Sequence, residues 1–259
     1  MMDYALYFDI GNTNTKMGLR AKGGPVTTYA LPTDTHGTAD QFGLSLLGVL
    51  RVAGVDVGAV GICLASSVVP GMTAIVAGAC QRFLGQKLVL VPEDVPVPLE
   101  NRYARPHEVG ADRLVGAYGA RGLFPEAPSI ISVDFGTATT FDCVEKNAYM
   151  GGLICPGVLS SAAALGSNTA KLPRISLEVE GREVRPGIST VTSLNHGFIF
   201  GFAAMTEGLV ARLAPTLEGP ALVVGTGGFA RALSEVTDCF DTVWPDLVIE
   251  GLCRLHDSL

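Results

Sequence analysis

Tryptophan occurs once in 259 residues, charged residues make up only 17%, and 18 lysines and arginines face 25 aspartates and glutamates. The resulting net charge of −7 excludes a general attraction to a nucleic-acid backbone or an anionic membrane surface. The four histidines, His36, His107, His196 and His256, show no His-x-x-x-His spacing, so a zinc site has no support. The six cysteines, Cys63, Cys80, Cys143, Cys155, Cys239 and Cys253, include no Cys-x-x-Cys pair, and most stand in apolar surroundings. They read as structural thiols of a reducing compartment. No basic leader precedes the first short apolar run, and no uncharged apolar stretch reaches membrane-spanning length. The expected location is the cytoplasm, with neither nucleic acid nor membrane as a partner.

What is abundant is apolar: 48% of the chain is hydrophobic, which supports a sizeable core and argues against disorder. Two of the apolar runs end alike. Ala5-Leu-Tyr-Phe-Asp9-Ile-Gly-Asn-Thr13 delivers a carboxylate to the end of a strand, then a glycine, then a threonine. Ile130-Ile-Ser-Val-Asp134-Phe-Gly-Thr-Ala-Thr-Thr140 repeats the device. Asp9 and Asp134 lie 125 residues apart, so each opens about half of the chain, as a duplicated domain requires. One copy alone could be an ordinary hairpin. Two copies, with the glycine cluster Gly225-Thr-Gly-Gly228 after a third apolar strand, suit a metal-bound polyphosphate and a nucleotide lying on a side-chain-free surface.

The remaining pattern predicts an α/β architecture. Strands are expected at 4–10, 15–21, 25–31, 58–64 and 87–91, with helices at 38–53 and 70–84. Prolines at 92, 96, 98 and 106 make 92–108 an ordered loop, and a helix follows to about residue 124. The second half repeats the order, with strands at 129–134, 138–145, 148–155, 221–225 and 240–243. Its helices are expected at 157–166, 189–214, 228–237 and 247–257.

These residues resemble a family. Asp9-Ile-Gly-Asn-Thr13, Ser66-Ser-Val-Val-Pro70, Gly110-Ala-Asp-Arg113, Asp134-Phe-Gly-Thr-Ala138, Gly151-Gly-Leu-Ile-Cys-Pro-Gly157, Ser189-Thr190 and Pro245-Asp-Leu-Val-Ile-Glu-Gly-Leu252 look like the blocks of type III pantothenate kinase, in that order. That family sits in the superfamily of actin, sugar kinases and the heat-shock chaperone ATPases. The resemblance implies an α/β fold of two duplicated ribonuclease-H-like domains, 1–117 and 118–259, and a homodimer with a shared active site. It implies ATP and pantothenate as substrates in the first step of coenzyme A synthesis. Magnesium would accompany ATP, and potassium or ammonium would serve as a monovalent cation.

The resemblance also implies roles. ATP phosphates fall to Asp9, Ile10, Gly11, Asn12, Thr13, Asn14, Thr15 and Lys16, with Thr137 a further ATP contact. Lys16 either pairs with phosphate or points into solvent, and its place beyond the turn favours solvent. Gly110, Ala111, Asp112 and Arg113 form the acceptor-binding block, with Asp112 the proton acceptor and Arg113 a donor fork. Read without the family, Asp112 is a helix-start acid favoured by the dipole and Arg113 its surface partner. Tyr103 maps to a pantothenate contact, or is a packing aromatic. Asp134 maps to the monovalent-cation ligand. Thr190 maps to a threonine reached from the partner subunit, or is a helix-start hydroxyl. His196 and Asp142 receive no role, and loops 95–108 and 174–188 are where substrate fit can differ. The rival readings are a kinase for another hydroxylated metabolite and a non-enzymatic transcriptional accessory protein.

Overall fold

The computed structural model describes residues 3–167, 177–179 and 181–259. Two β-sheets are laid out in the same order. In the first, β1 (Tyr4–Ile10), β2 (Asn14–Ala21) and β3 (Val26–Pro32) form an antiparallel meander, and β4 (Val60–Ser67) and β5 (Leu88–Val91) continue in parallel on the far side of β1. In the second, β7 (Ser129–Phe135), β8 (Ala138–Glu145) and β9 (Ala148–Pro156) are the meander, with β10 (Ala221–Gly227) and β11 (Thr242–Val243) parallel to β7. The second sheet gains one strand, β6 (Glu100–Asn101), at its β9 edge. The expected duplication is therefore visible strand by strand.

The chain divides into two compact units. One comprises Met1–Pro98, His107–Gly119 and Val248–Leu259, the other Leu99–Pro106 and Ala120–Leu247. The expected boundary at 117 falls inside helix α3 (Ala111–Leu123), through which the chain passes from one unit to the other.

In the first unit α1 (Ala39–Val52) begins at a capping box, Thr38 with Gln41, and turns Phe42, Leu46 and Leu50 inward at four-residue spacing. Helix α2 (Pro70–Ala79) starts on proline and runs into a wider π turn, Cys80–Leu84, which completes the expected span. Both helices cover Leu6, Phe8, Ile10, Met17 and Leu19. On the opposite face of the same sheet, Ile249 of α7 (Leu247–Asp257) packs over Gly18 beside Tyr7.

In the second unit Ile131, Val133, Phe135, Phe141 and Cys143 pack with Ile199, Ala203 and Val210 of α5 (Thr190–Leu213) and Leu233 of α6 (Ala230–Ser234). Helix α4 (Val158–Ser167) precedes α5. Arg121, buried near the end of α3, donates from Nη1 to the carbonyls of Phe124, Pro125 and Ala127 at 3.0, 3.3 and 2.7 Å, so it holds the turn that ends the helix.

Two element ends differ from expectation for reasons the hydrogen bonding shows. Strand β4 continues to Ser67 rather than ending at 64, because Phe8, Asp9 and Ile10 find partners in Ala65, Ser66 and Ser67. Helix α6 stops at Ser234 instead of 237, since the amides of Val236 and Thr237 both fold back onto the Leu233 carbonyl. Among the described residues, Thr190–Thr216 is long and apolar enough to cross a membrane by length and composition, with Glu207 and Arg212 within it. The expectation concerns an uncharged stretch, and Glu207 and Arg212 interrupt this one.

Candidate active site

The first Asp-x-Gly-x-Thr segment is the β1–β2 turn. Asn12, Thr13 and Asn14 are exposed at its tip, while Ile10 and Thr15 are fully buried. The Thr15 hydroxyl lies 3.0 Å from that of Thr33, which donates at 2.7 Å to the Gly11 carbonyl. With the amide of Gly11 on the Asn14 carbonyl at 3.1 Å, the turn is braced from beneath. Ile10 and Thr15 thus shape the turn, and its tip is left to meet a ligand.

Register places Lys16, Asp9 and Ser66 in one row across β2, β1 and β4, side chains on the same face. Lys16 lies on β2, beyond the turn, half-buried opposite Asp9. The duplication reproduces the row in the second unit, where Thr140, Asp134 and Thr226 are neighbours on β8, β7 and β10. Ser66 lies beyond the expected end of its strand at 64, so only the register sets it beside Asp9. The signal was its position: the fourth strand of each half puts a hydroxyl beside the aspartate.

Gly110-Ala111-Asp112-Arg113 opens α3. Burial pushes the Asp112 carboxyl above its ordinary range, opposed by the amide of Arg113, which donates to Oδ1 at 2.8 Å, and by the Arg113 charge. A side chain at Gly110 would collide with that oxygen. Ala111 is buried and Arg113 half-buried. A carboxylate with a raised affinity for protons at a helix start suits proton acceptance from a hydroxyl.

Tyr103 stands in the loop after β6, in the unit of the second sheet. The Asn101 Oδ1 accepts from the Tyr103 amide at 3.1 Å and the Asn101 amide group donates to the Pro106 carbonyl at 3.2 Å, giving the loop order without helix. The Arg102 amide donates to the Tyr149 carbonyl at 2.9 Å, and the rings of Tyr103 and Tyr149 lie 6.4 Å apart. Tyr149 is buried and donates to Asp142 Oδ1 at 2.8 Å, so Asp142 has a structural partner.

At the second Asp-x-Gly segment, Gly157 packs so closely that a side chain would overlap the carbonyl of Thr137, and Ser160 of α4 donates to that same carbonyl at 2.7 Å. The turn carrying Thr137 is thereby held by the start of α4. Gly227, at φ +84°, abuts Asp134, and any side chain there would overlap Oδ1.

Thr190 is exposed at the first turn of α5, where the cap is supplied by Ser189 and Thr192. The helix-start role thus belongs to Ser189. His196 Nδ1 lies 2.8 Å from the Arg185 carbonyl and its ring meets Phe200 edge-on, which ties the segment before α5 to the helix. Of the expected variable loop 174–188, residues 174–176 and 180 lie outside the described residues.

No group of three or more His, Cys, Asp or Glu that could hold a metal is found among the described residues. Magnesium carried in on nucleotide phosphates needs only one or two protein carboxylates. Asp9 supplies one, and the buried, unpartnered hydroxyl of Ser66 beside it is the kind of group a hydrated ion satisfies.

Solved structures share this architecture. A protein assigned to a Baf family of transcriptional activators from Campylobacter jejuni superposes with a TM-score of 0.60 at 17% identity, covering 98% of each chain. One assigned as a 2-dehydro-3-deoxygalactonokinase from Sinorhizobium meliloti gives 0.59 at 14%, covering 99% of this chain and 97% of its own. At these identities the likeness establishes the fold alone, an α/β fold of two ribonuclease-H-like domains. The type III pantothenate kinase of Nitratidesulfovibrio vulgaris strain DSM 19637 / Miyazaki F is 61% identical over 256 residues, 99% of this chain and 98% of that one. The family's sequence pattern matches residues 5–212, through both aspartate segments and the acceptor block, and the chain belongs to the type III pantothenate kinase family.

Proposed function

We infer that the protein transfers the γ-phosphate of ATP to the primary hydroxyl of pantothenate, giving 4'-phosphopantothenate in the first step of coenzyme A biosynthesis. The observation that carries this is identity of 61% along 99% of the chain to a type III pantothenate kinase, with Asp9, Asp112 and Asp134 all present.

The exposed tip Asn12–Asn14 and the amides around Gly11 receive the phosphates, braced by Thr15 and Thr33. Lys16, in the row of Asp9, adds a positive charge to the same phosphates. Magnesium, when bound with ATP, supplies charge neutralisation of the phosphate oxygens. Asp9 orients the nucleotide's hydrated cation, and Thr137 contacts ATP from the second unit's turn. The transfer passes through a loose transition state, so Asp112 chiefly fixes the attacking hydroxyl and takes its proton late. Gly110 and Ala111 give that carboxylate its room, while Arg113 and Tyr103 hold pantothenate oxygens and its body. Asp134 binds potassium or ammonium. The two units, each built on one of the two sheets, act as the duplicated domains, and the working unit is a homodimer in the cytoplasm, in which Thr190 serves the partner's acceptor site.

Pantothenate-dependent ADP release by the purified protein, with and without potassium, tests the reading. Release is expected with pantothenate and to rise with potassium. Absence of pantothenate-dependent release under every cation condition would refute the activity, and indifference to potassium and ammonium would refute the cation assignment alone.

A further inference from the structure

Two adjacent serines end β4, and they differ. Ser67 is fully employed: its hydroxyl lies 2.6 Å from that of Thr73 and accepts from the Val69 amide at 3.1 Å, which fixes the entry into α2. Ser66 points to the other face of the sheet. It is 0% exposed, and its Oγ has no hydrogen-bond partner. A buried hydroxyl without a partner is costly, and in a folded protein it calls for an explanation.

Its surroundings supply one. Ser66 is the cross-strand neighbour of Asp9, and Lys16 is the neighbour of Asp9 on the other side. The duplicated half has the same arrangement, with Thr226 beside Asp134. Both halves therefore place a β-hydroxyl on the fourth strand, level with the strand-end carboxylate. Nothing in the packing of the first unit requires an oxygen there, because alanine would fill the position without an unsatisfied group.

We propose that Ser66 is a positioning residue for the metal–nucleotide complex: its hydroxyl takes its missing hydrogen bond from a water of the hydrated cation that Asp9 orients. The idea rests on the ATP-binding reading of the first turn. It adds a residue of the Ser-Ser-Val-Val-Pro block to that site and gives the block a chemical reason.

The test is binding without turnover. Titration calorimetry of a non-hydrolysable ATP analogue, once with excess magnesium and once with a chelator, is compared for the wild type and Ser66→Ala, alongside thermal melts of the ligand-free proteins. The variant should melt at the wild-type temperature or above it, since an unsatisfied group has been removed. It should bind the magnesium-free analogue as the wild type does, and bind the magnesium complex roughly five- to tenfold more weakly, the loss of one hydrogen bond. Equal affinity of the two proteins for the magnesium complex would overturn the proposal, as would an equal loss in chelator. A lower melting temperature or failure to fold would do the same, because it would show the hydroxyl to be structural. If the wild type binds the analogue under neither condition, the ATP-binding reading fails together with the proposal, which separates that failure from the other three, whereas binding that gains nothing from magnesium overturns the proposal alone.

Discussion

In the proposed transfer Asp112 is the proton acceptor, and its environment makes a prediction with a sign. Burial raises its folded-state proton affinity above that of the unfolded chain. The stability it contributes is therefore complete at low pH and is lost as pH rises through the raised value. At neutral pH the ionised carboxylate is a burden on the fold, so Asp112→Asn should melt no lower than the wild type. The same substitution removes the proton acceptor, and turnover should fall by ~10²- to 10⁴-fold. The acid limb of kcat/KM for the wild type should inflect above the ordinary carboxylate range. Single-turnover phosphorylation beside a thermal melt decides it, and near-normal chemistry in the folded variant would remove the role. The cysteines show the opposite use of burial. It pushes the Cys253 thiol up to about 11 and raises Cys239 as well. All six thiols are free, and the raised ones are poor nucleophiles at neutral pH.

Helix α7 closes one face of the first sheet and is tied there by two side-chain links. The Tyr7 hydroxyl lies 2.8 Å from His256 Nδ1, and Arg20 Nη1 donates to both carboxylate oxygens of Asp257 at 2.9 Å. Tyr7 is wholly buried, and its phenol is held protonated by that burial, so it donates and His256 accepts. Burial lowers the His256 proton affinity, with the Arg20 charge adding to it and Asp257 opposing. A depressed folded value means that protonation favours the unfolded chain: the stability is present above the ordinary value of 6.5 and lost as pH falls. Melting temperature should drop between about pH 8 and about pH 5, and less steeply in His256→Gln. Tyr7→Phe should cost about 1 kcal/mol at neutral pH, the value of one hydrogen bond. A His256→Gln profile parallel to the wild type would assign the pH dependence elsewhere.

For the whole molecule the informative element is α5. Only 17% of its most apolar window is buried, although Ile199, Ala203 and Val210 face the core. Leu194, Phe198, Phe202 and Met205 instead line an apolar groove of about 360 Å³ with Leu165 of α4, and the Phe198 and Phe202 rings stack at 6.3 Å. A face of this kind suits a second copy of the chain meeting it about a two-fold axis. Mixing Asp112→Asn with Thr190→Ala protein tests the shared site. Each homodimer should be impaired at both sites, whereas a heterodimer regains one site with both residues intact. Activity should rise on subunit exchange to about half of the wild-type level per heterodimer. Heterodimers seen by mass spectrometry without that rise would rule out the shared site.

Periodicity and punctuation alone determine much of this protein. The meanders, the crossover helices and the duplicated aspartate segments are written in local patterns: alternating apolar residues, Gly-Asn-Thr turns, Thr38 and Ser189 before apolar helices. Asp9 at a strand end is legible for the same reason, whereas Asp112 reads locally as an ordinary helix-start acid and receives its role from the family resemblance. Tertiary structure alone decided what depends on a neighbour distant in the chain. That Thr15 braces the turn from within requires Thr33 on another strand. Tyr103 stands beside Tyr149 because two residues, Glu100 and Asn101, pair with the edge of β9, a strand too short to leave a periodic signal. Ser66 becomes a candidate only once register sets it beside Asp9, since one residue of slip would turn its hydroxyl to the other face.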